Sequence, residues 1–195
     1  MLPTLFQAEQ LLSEAERLNP GPWGNHSRVA AHCARAIASH CPGMDADKAY
    51  VLGLLHDIGR RFGVSHLKHV SDGYSYMLSL GYDEAARICL THSFNNGRLE
   101  EYIGRHDVSP QEHRMLAEAL AAVPMDDYDR LIQLCDSLAG ADRVLDVEAR
   151  MGDVKARYGM YPQEKWDQNL RLMAYFEEKM GMDLYQAVEK DTFCL

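Results

Sequence analysis

The stretch Ala49-Tyr50-Val51-Leu52-Gly53-Leu54-Leu55-His56-Asp57-Ile58-Gly59-Arg60-Arg61 decides the fold of this chain. From Val51 to Leu55 it is apolar all round, and a helix with no polar face belongs in the middle of a bundle. Asp45 is placed to cap it, so the pattern predicts a helix from Ala46 to Ile58, ended by Gly59. The same helix closes on an imidazole and a carboxylate, His56 and Asp57. Such groups are costly to bury alone, so this helix end needs compensation from elsewhere in the fold.

Upstream, Leu5, Ala8, Leu12, Ala15 and Leu18 form the stripe of a first helix, stopped by Asn19-Pro20-Gly21-Pro22. Asn25 is read as the cap of a second, His26 to about His40. Downstream, a fourth helix is predicted from Leu67 to Leu80. A fifth, capped near Asp83, places Ala85, Ile88, Cys89 and His92 on one face. Phe94 to Val108 is polar and reads as a surface loop. Ser109-Pro110-Gln111-Glu112 is a capping box with proline in the first turn, which starts a sixth helix that Pro124 ends. A seventh, capped at Asp126 or Asp127, carries Asp136 within it. Two or three more follow: one ending at Gly159, one from Pro162 to Met180 with Trp166, Leu170 and Met173 inward, and a short one at Leu184 and Val188. No alternating β-branched run competes, and the class is all-α.

The chain has 195 residues and a formal charge of −9, with 47% hydrophobic residues. That charge disfavours a nucleic-acid polymer or an anionic membrane as partner. The first ten residues have neither a basic nor an apolar segment of the kind that directs secretion. Five scattered cysteines without a CxxC pair read as reduced thiols, with Cys89 and Cys135 as small core residues. The expected location is the cytoplasm, and a homodimer is compatible with the composition.

Asp136 repeats the problem of His56 and Asp57. It lies among Leu131, Ile132, Leu134, Cys135, Leu138 and Ala139, with no Lys or Arg within a helical turn. His92 closes an apolar face, and His26 opens a helix behind a Pro/Gly turn. Imidazole and carboxylate together suit a divalent Mn, Fe, Co, Ni or Zn ion. Each residue also has a blander reading. A lone buried histidine is more often a hydrogen-bonded core residue, and His32, His40, His106 and His113 are read that way. Asp136 would then be a structural ion pair, and Asp57 the cap of a chain reversal.

The order His26, then Leu54-Leu55-His56-Asp57-Ile58-Gly59-Arg60, then Asp136 resembles the H…HD…D signature of the HD superfamily, over roughly residues 20 to 145. His26-Ser27-Arg28-Val29-Ala30 is similar to that family's first-histidine helix, and Arg60 stands where lysine is common. The resemblance implies an HD-domain helical bundle over 21–145, with residues 1–20 as an N-terminal helix packed on it and 146–195 as a helical C-terminal extension. It implies His26, His56, Asp57 and Asp136 as metal ligands. His69-Val70-Ser71-Asp72-Gly73 and Thr91-His92 are similar to the extra histidines of two-metal subfamilies, with His66 a rival to His69. Gly73 would leave space beside His69 for a second ion. One or two divalent ions, bridged by Asp57, would then activate water to cleave a phosphate ester or anhydride of a nucleotide or similar small phosphorylated molecule. Asp57 is the expected catalytic residue, and Arg60, Arg61 and Lys68 are the cations expected to bind phosphate. For Arg60 and Arg61 the alternative is a helix C-terminus favoured by its dipole. Arg98 and Arg105, in the loop after His92, would shape the pocket. The family also contains diiron oxygenases, of which myo-inositol oxygenase is an example, and a non-catalytic metal-binding sensor is a third reading.

Overall fold

The computed structural model describes every residue except Asp191 and Cys194. The described residues form α1 (Leu5–Leu18), α2 (Trp23–His40), α3 (Ala46–Leu55), α4 (Lys68–Ser79), α5 (Asp83–Thr91), α6 (Pro110–Ala122), α7 (Asp127–Asp136), α8 (Val147–Tyr158), α9 (Gln163–Met180) and α10 (Leu184–Ala187). Short 3-10 turns occupy Ile58–Phe62 and Leu99–Glu101. Among the described residues there is no strand, only one isolated bridge between Ala139 and Val144. The class is all-α. No described helix is long and apolar enough to cross a membrane.

Local chemistry sets many of the boundaries. Asp45 accepts the main-chain N–H groups of Asp47 and Lys48, and Ser109 with Glu112 and Asp126 with Asp129 form reciprocal capping boxes. Gly159 ends α8 at a φ of 78° and Gly181 ends α9 at 69°, where a side chain would be strained.

Helix α3 sits at the centre, as its all-apolar surface requires. Leu52 packs in one cluster with α2 and α7, while Leu54 and Leu55 pack in another with α1 and α5. At Gly53 a Cβ would lie 2.6 Å from the Cα of Ala31, so the helices cross in near backbone contact. Val147, Met151, Leu172, Phe176, Leu184 and Val188 join the α2–α7 cluster.

Several expectations need correction. Helix α3 stops at Leu55, and the chain tightens into the 3-10 turn, so Gly59 is not a stop. It is there for approach, since a Cβ on it would lie 2.0 Å from the carbonyl oxygen of His69. Gly73 leaves no open space either: a Cβ there would meet Cys89 at 3.2 Å. Helix α2 begins at Trp23, whose indole N–H donates to the Asn19 carbonyl, so Asn25 lies inside it rather than capping it. Asp136 is the last residue of α7. The start of the Phe94–Val108 segment is buried: Phe94 and Leu99 pack with Leu116 and Leu120, and buried Glu101 accepts the N–H groups of Asn96 and Arg98. Its polar residues serve its own backbone. The fully buried stripe of α9 is Lys165, Asn169, Leu172 and Phe176, with Trp166, Leu170 and Met173 on its flanks. Cys33, Cys41, Cys89 and Cys135 are buried and unpaired, whereas Cys194 lies outside the described residues.

Candidate metal centre

Six ligand-type side chains reach one point because five helices end or begin beside it. His26 lies in the first turns of α2. His56 and Asp57 occupy the break between α3 and its 3-10 turn, and His69 follows the start of α4. His92 is the C-terminal cap of α5, and Asp136 ends α7. Helix ends suit this role, because a ligand there projects past the cylinder into space that neighbouring helices leave open.

The hydrogen bonds of the four rings fix their tautomers. The Nδ1 of His26 donates to the Ala139 carbonyl (3.1 Å), that of His56 to Gly53 (2.7 Å), that of His69 to His66 (2.5 Å) and that of His92 to Cys89 (2.9 Å). Every Nδ1 therefore carries a proton, and in the neutral ring every Nε2 presents a lone pair to the interior. Main-chain carbonyls behind the rings are the usual outer partners of metal-binding histidines.

The lone pairs converge on two carboxylates. His26 Nε2 lies 3.0 Å and His56 Nε2 3.9 Å from Asp136 Oδ1, while His69 Nε2 and His92 Nε2 lie 3.1 and 3.6 Å from Asp57 Oδ1. Ligand atoms of His26, His56 and Asp57 all fall within 4.8 Å of one another, and so do those of Asp57, His69 and His92. Two donors held ~2.0–2.2 Å from one ion sit about 3.0–3.5 Å apart, so this spacing fits a shared cation.

The blander reading fails at two places. His56 Nε2 is buried with no hydrogen-bond partner. His69 Nε2 and His92 Nε2 face each other at 3.3 Å, lone pair to lone pair. Protonation does not rescue His56 or His92, because burial pushes His92 down to about 3 and lowers His56 as well. Burial opposes ionisation of Asp57, but Arg60 and His69 outweigh it and hold that carboxyl well below its ordinary range. For Asp136 burial is likewise outweighed, by His26, with the same direction. Neutral imidazoles around two carboxylates form a donor set that fits one or two divalent ions.

The cations sort differently from expectation. Arg60 lines the cavity, with its Nε 2.5 Å from Asp57 Oδ2. Arg61 does not: it pairs with Glu14 and lies over the Tyr76 ring, because the 3-10 turn sends successive side chains in different directions. Lys68 also lies outside, bound to Asp72 and Glu112 on its own side of α4. Arg28 holds Glu16, and Arg98 pairs with Glu164. Arg105 borders a neighbouring hollow together with His66, whose ring stays out of the ligand cluster. His32 donates to the Val188 carbonyl and stacks on Phe193, and His106 and His113 stack on each other near the surface.

The centre opens on a cavity of about 730 Å³, lined by ligands on one side and by α8 and α9 on the other. Lys165 had not stood out in sequence. It is 8% exposed, and its ammonium donates to the carbonyl of Ser93, beside His92. Burial lowers its pKa, against the pull of Glu101 and Asp136, and no carboxylate pairs with it. Buried Asn169 links Asn95, Ser137 and Tyr161 into the same wall.

A family model described as the HD domain matches residues 23–141, well over half the chain, and the chain belongs to the HD-domain family. That superfamily is of metal-dependent phosphohydrolase type, and the His/Asp cluster fits metal binding. No curated protein and no solved structure matches the chain.

Proposed function

We propose that this chain is a metal-dependent phosphohydrolase acting on a small phosphorylated molecule, a nucleotide or a compound of similar size, in a reducing compartment such as the cytoplasm. The observation that carries the reading is the meeting of two elements in one cavity: four imidazole lone pairs converging on two carboxylates, and a buried ammonium beside them.

His26, His56 and Asp136 would hold one ion, and His69 and His92 a second, with Asp57 shared. A divalent ion so held supplies Lewis acidity, acidifying water and offsetting charge that gathers on phosphoryl oxygens. Arg60 and His69 already engage both oxygens of Asp57, so Asp57 serves as a shared ligand rather than as a proton acceptor. Arg60 keeps that carboxylate in place and lines the cavity beside it. Lys165 uses one N–H on the Ser93 carbonyl and has two left for a phosphoryl oxygen. The acidic chain thus concentrates positive charge where an anionic substrate enters.

The same ligand set suits a diiron oxygenase, but a neutral polyol has no use for an unpaired ammonium at the centre. A sensor that kept only its metal has no use for the cavity. The deciding experiment is an oxygen-free assay with Mn²⁺-loaded protein across nucleotides and simple phosphate esters. Release of inorganic phosphate is expected. Turnover that appears only with O₂ would overturn the hydrolase reading.

A further inference from the structure

The wall facing the metal centre carries charge that the chemistry above does not use. Arg150 and Arg157 lie seven residues apart on α8, two turns or about 10.5 Å along its axis, and therefore on one face. Both line the cavity, with Asp153 and Val154 between them on that face. Among the described residues, neither guanidinium pairs with a carboxylate. The Nε of Arg150 is buried without a partner among the described residues, and the Arg157 guanidinium lies over the Tyr158 ring, 5.9 Å from its centroid. Arg28, Arg35, Arg87 and Arg130 are tied to acids, whereas half-buried Arg150 and exposed Arg157 line the cavity without such a partner among the described residues. The candidate ligands come from α2, α3, α4, α5 and α7, whereas this pair stands on α8, on the cavity wall that none of them supplies. Tyr158 and Tyr161 lie on the same wall and offer ring faces to the body of a ligand. Asp153 reduces the positive field but does not cancel two guanidinia.

We propose that Arg150 and Arg157 form a second anion subsite, so that the substrate carries an anionic group remote from the phosphate that reacts. This rests on the phosphohydrolase reading for what happens at the metal centre, but not for the subsite itself. Both residues lie beyond the segment matched by the HD-domain model, so the helices that follow that segment select the substrate. Guanidinium binds carboxylate and phosphate alike through paired N–H groups, and the second anion is one of these two.

The test is calorimetric titration of metal-loaded protein with hexyl phosphate, its ω-carboxylate analogue and hexanediol bisphosphate, with phosphate release measured separately. At least one doubly anionic compound should bind about tenfold tighter than hexyl phosphate or better, beyond the twofold that symmetry alone gives the bisphosphate. Whichever compound gains identifies the second group as carboxylate or phosphate. In Arg150→Met/Arg157→Met the ratio should fall towards one, and Arg150→Lys/Arg157→Lys should keep part of it, with folding of both variants checked by thermal melting. Equal binding of all three compounds by the unaltered protein would overturn the subsite, and so would a preference that survives the methionine pair. A binding preference without phosphate release under any metal would support the subsite while overturning the hydrolase reading.

Discussion

The Nε2 atoms of His69 and His92 lie 3.3 Å apart, and the Nδ1 of each ring already donates to a main-chain carbonyl. Two imidazole lone pairs held that close repel unless positive charge lies between or beside them. Rings from α4 and α5 are kept in this arrangement by main-chain carbonyls behind them and by Asp57 Oδ1 in front. The fold thus prepares a cation site before any cation arrives, as pre-organised metal centres do.

Metal content follows directly. Purified protein should carry up to two divalent transition-metal ions per chain by elemental analysis. Asp57→Ala, which removes the shared carboxylate, should lose nearly all of it. His92→Ala should keep one ion, because His26, His56 and Asp136 remain. Saturating metal-free protein at a hundred times Kd stabilises it by about 2.7 kcal/mol, or roughly 5–11 °C in Tm for a chain of this length. No rise in Tm with any of Mn²⁺, Fe²⁺, Co²⁺, Ni²⁺ or Zn²⁺ would end the metal reading.

Gly59→Ala tests the backbone contact that sets His69. The added Cβ would sit 2.0 Å from the His69 carbonyl oxygen and 2.5 Å from the Gly73 nitrogen, both main-chain atoms that cannot rotate away. Overpacking of this kind costs about 1–3 kcal/mol. The variant should melt lower and lose the ion that needs His69 before the other. A normal Tm with full metal content would show that α4 shifts freely.

Lys165→Met should lower kcat/KM by about one to two decades, the effect of a charged hydrogen bond lost to phosphate, with metal content unchanged. Stability should hold or rise, because the ammonium is buried without a carboxylate partner. Lys68→Met, outside the cavity, should leave kinetics near those of the unaltered protein. Comparable losses in both variants would count against Lys165 as the phosphate contact.

Metal-free protein should lose stability as pH falls below about 6.5. Burial pushes His92 down to about 3 and lowers His56 too, so between those values the unfolded chain takes up protons that the folded chain refuses. The carboxylates act later: Asp57 and Asp136 are depressed when folded, so their contribution is intact above about 4 and is lost only at lower pH. Urea unfolding at pH 7 and pH 5 measures the first effect, and His92→Gln should reduce the difference. Equal stability at the two values would contradict the buried, neutral state of these rings.

Much of the fold was legible because the signals are local. Asp45, Ser109 with Glu112, and Asp126 cap helices through groups two or three residues away. Where boundaries were misread, the local signal was ambiguous. An apolar run cannot distinguish the last turn of an α-helix from the 3-10 turn that carries Asp57 and Gly59. Glycine serves equally as a helix stop or as the place where two backbones touch, and at Gly53 and Gly59 it is the second. Of the six candidate ligands, His26, His56, Asp57, His92 and Asp136 stood out as polar groups in positions that are costly without a partner, whereas His69 came only from the family resemblance.

By itself the sequence determined the all-α class, the helix caps at Asp45, Ser109 and Asp126, and four histidines and two aspartates as candidate ligands. Only the tertiary structure decided which cations meet that set. Arg61 and Lys68 stand close to the ligands in sequence yet point to Glu14 and Asp72, while Lys165, 73 positions beyond His92, reaches its neighbour Ser93. The reason is physical. A helix period records which face of its own segment is apolar, but the partner of a long charged side chain depends on how distant segments pack, and no local pattern encodes that.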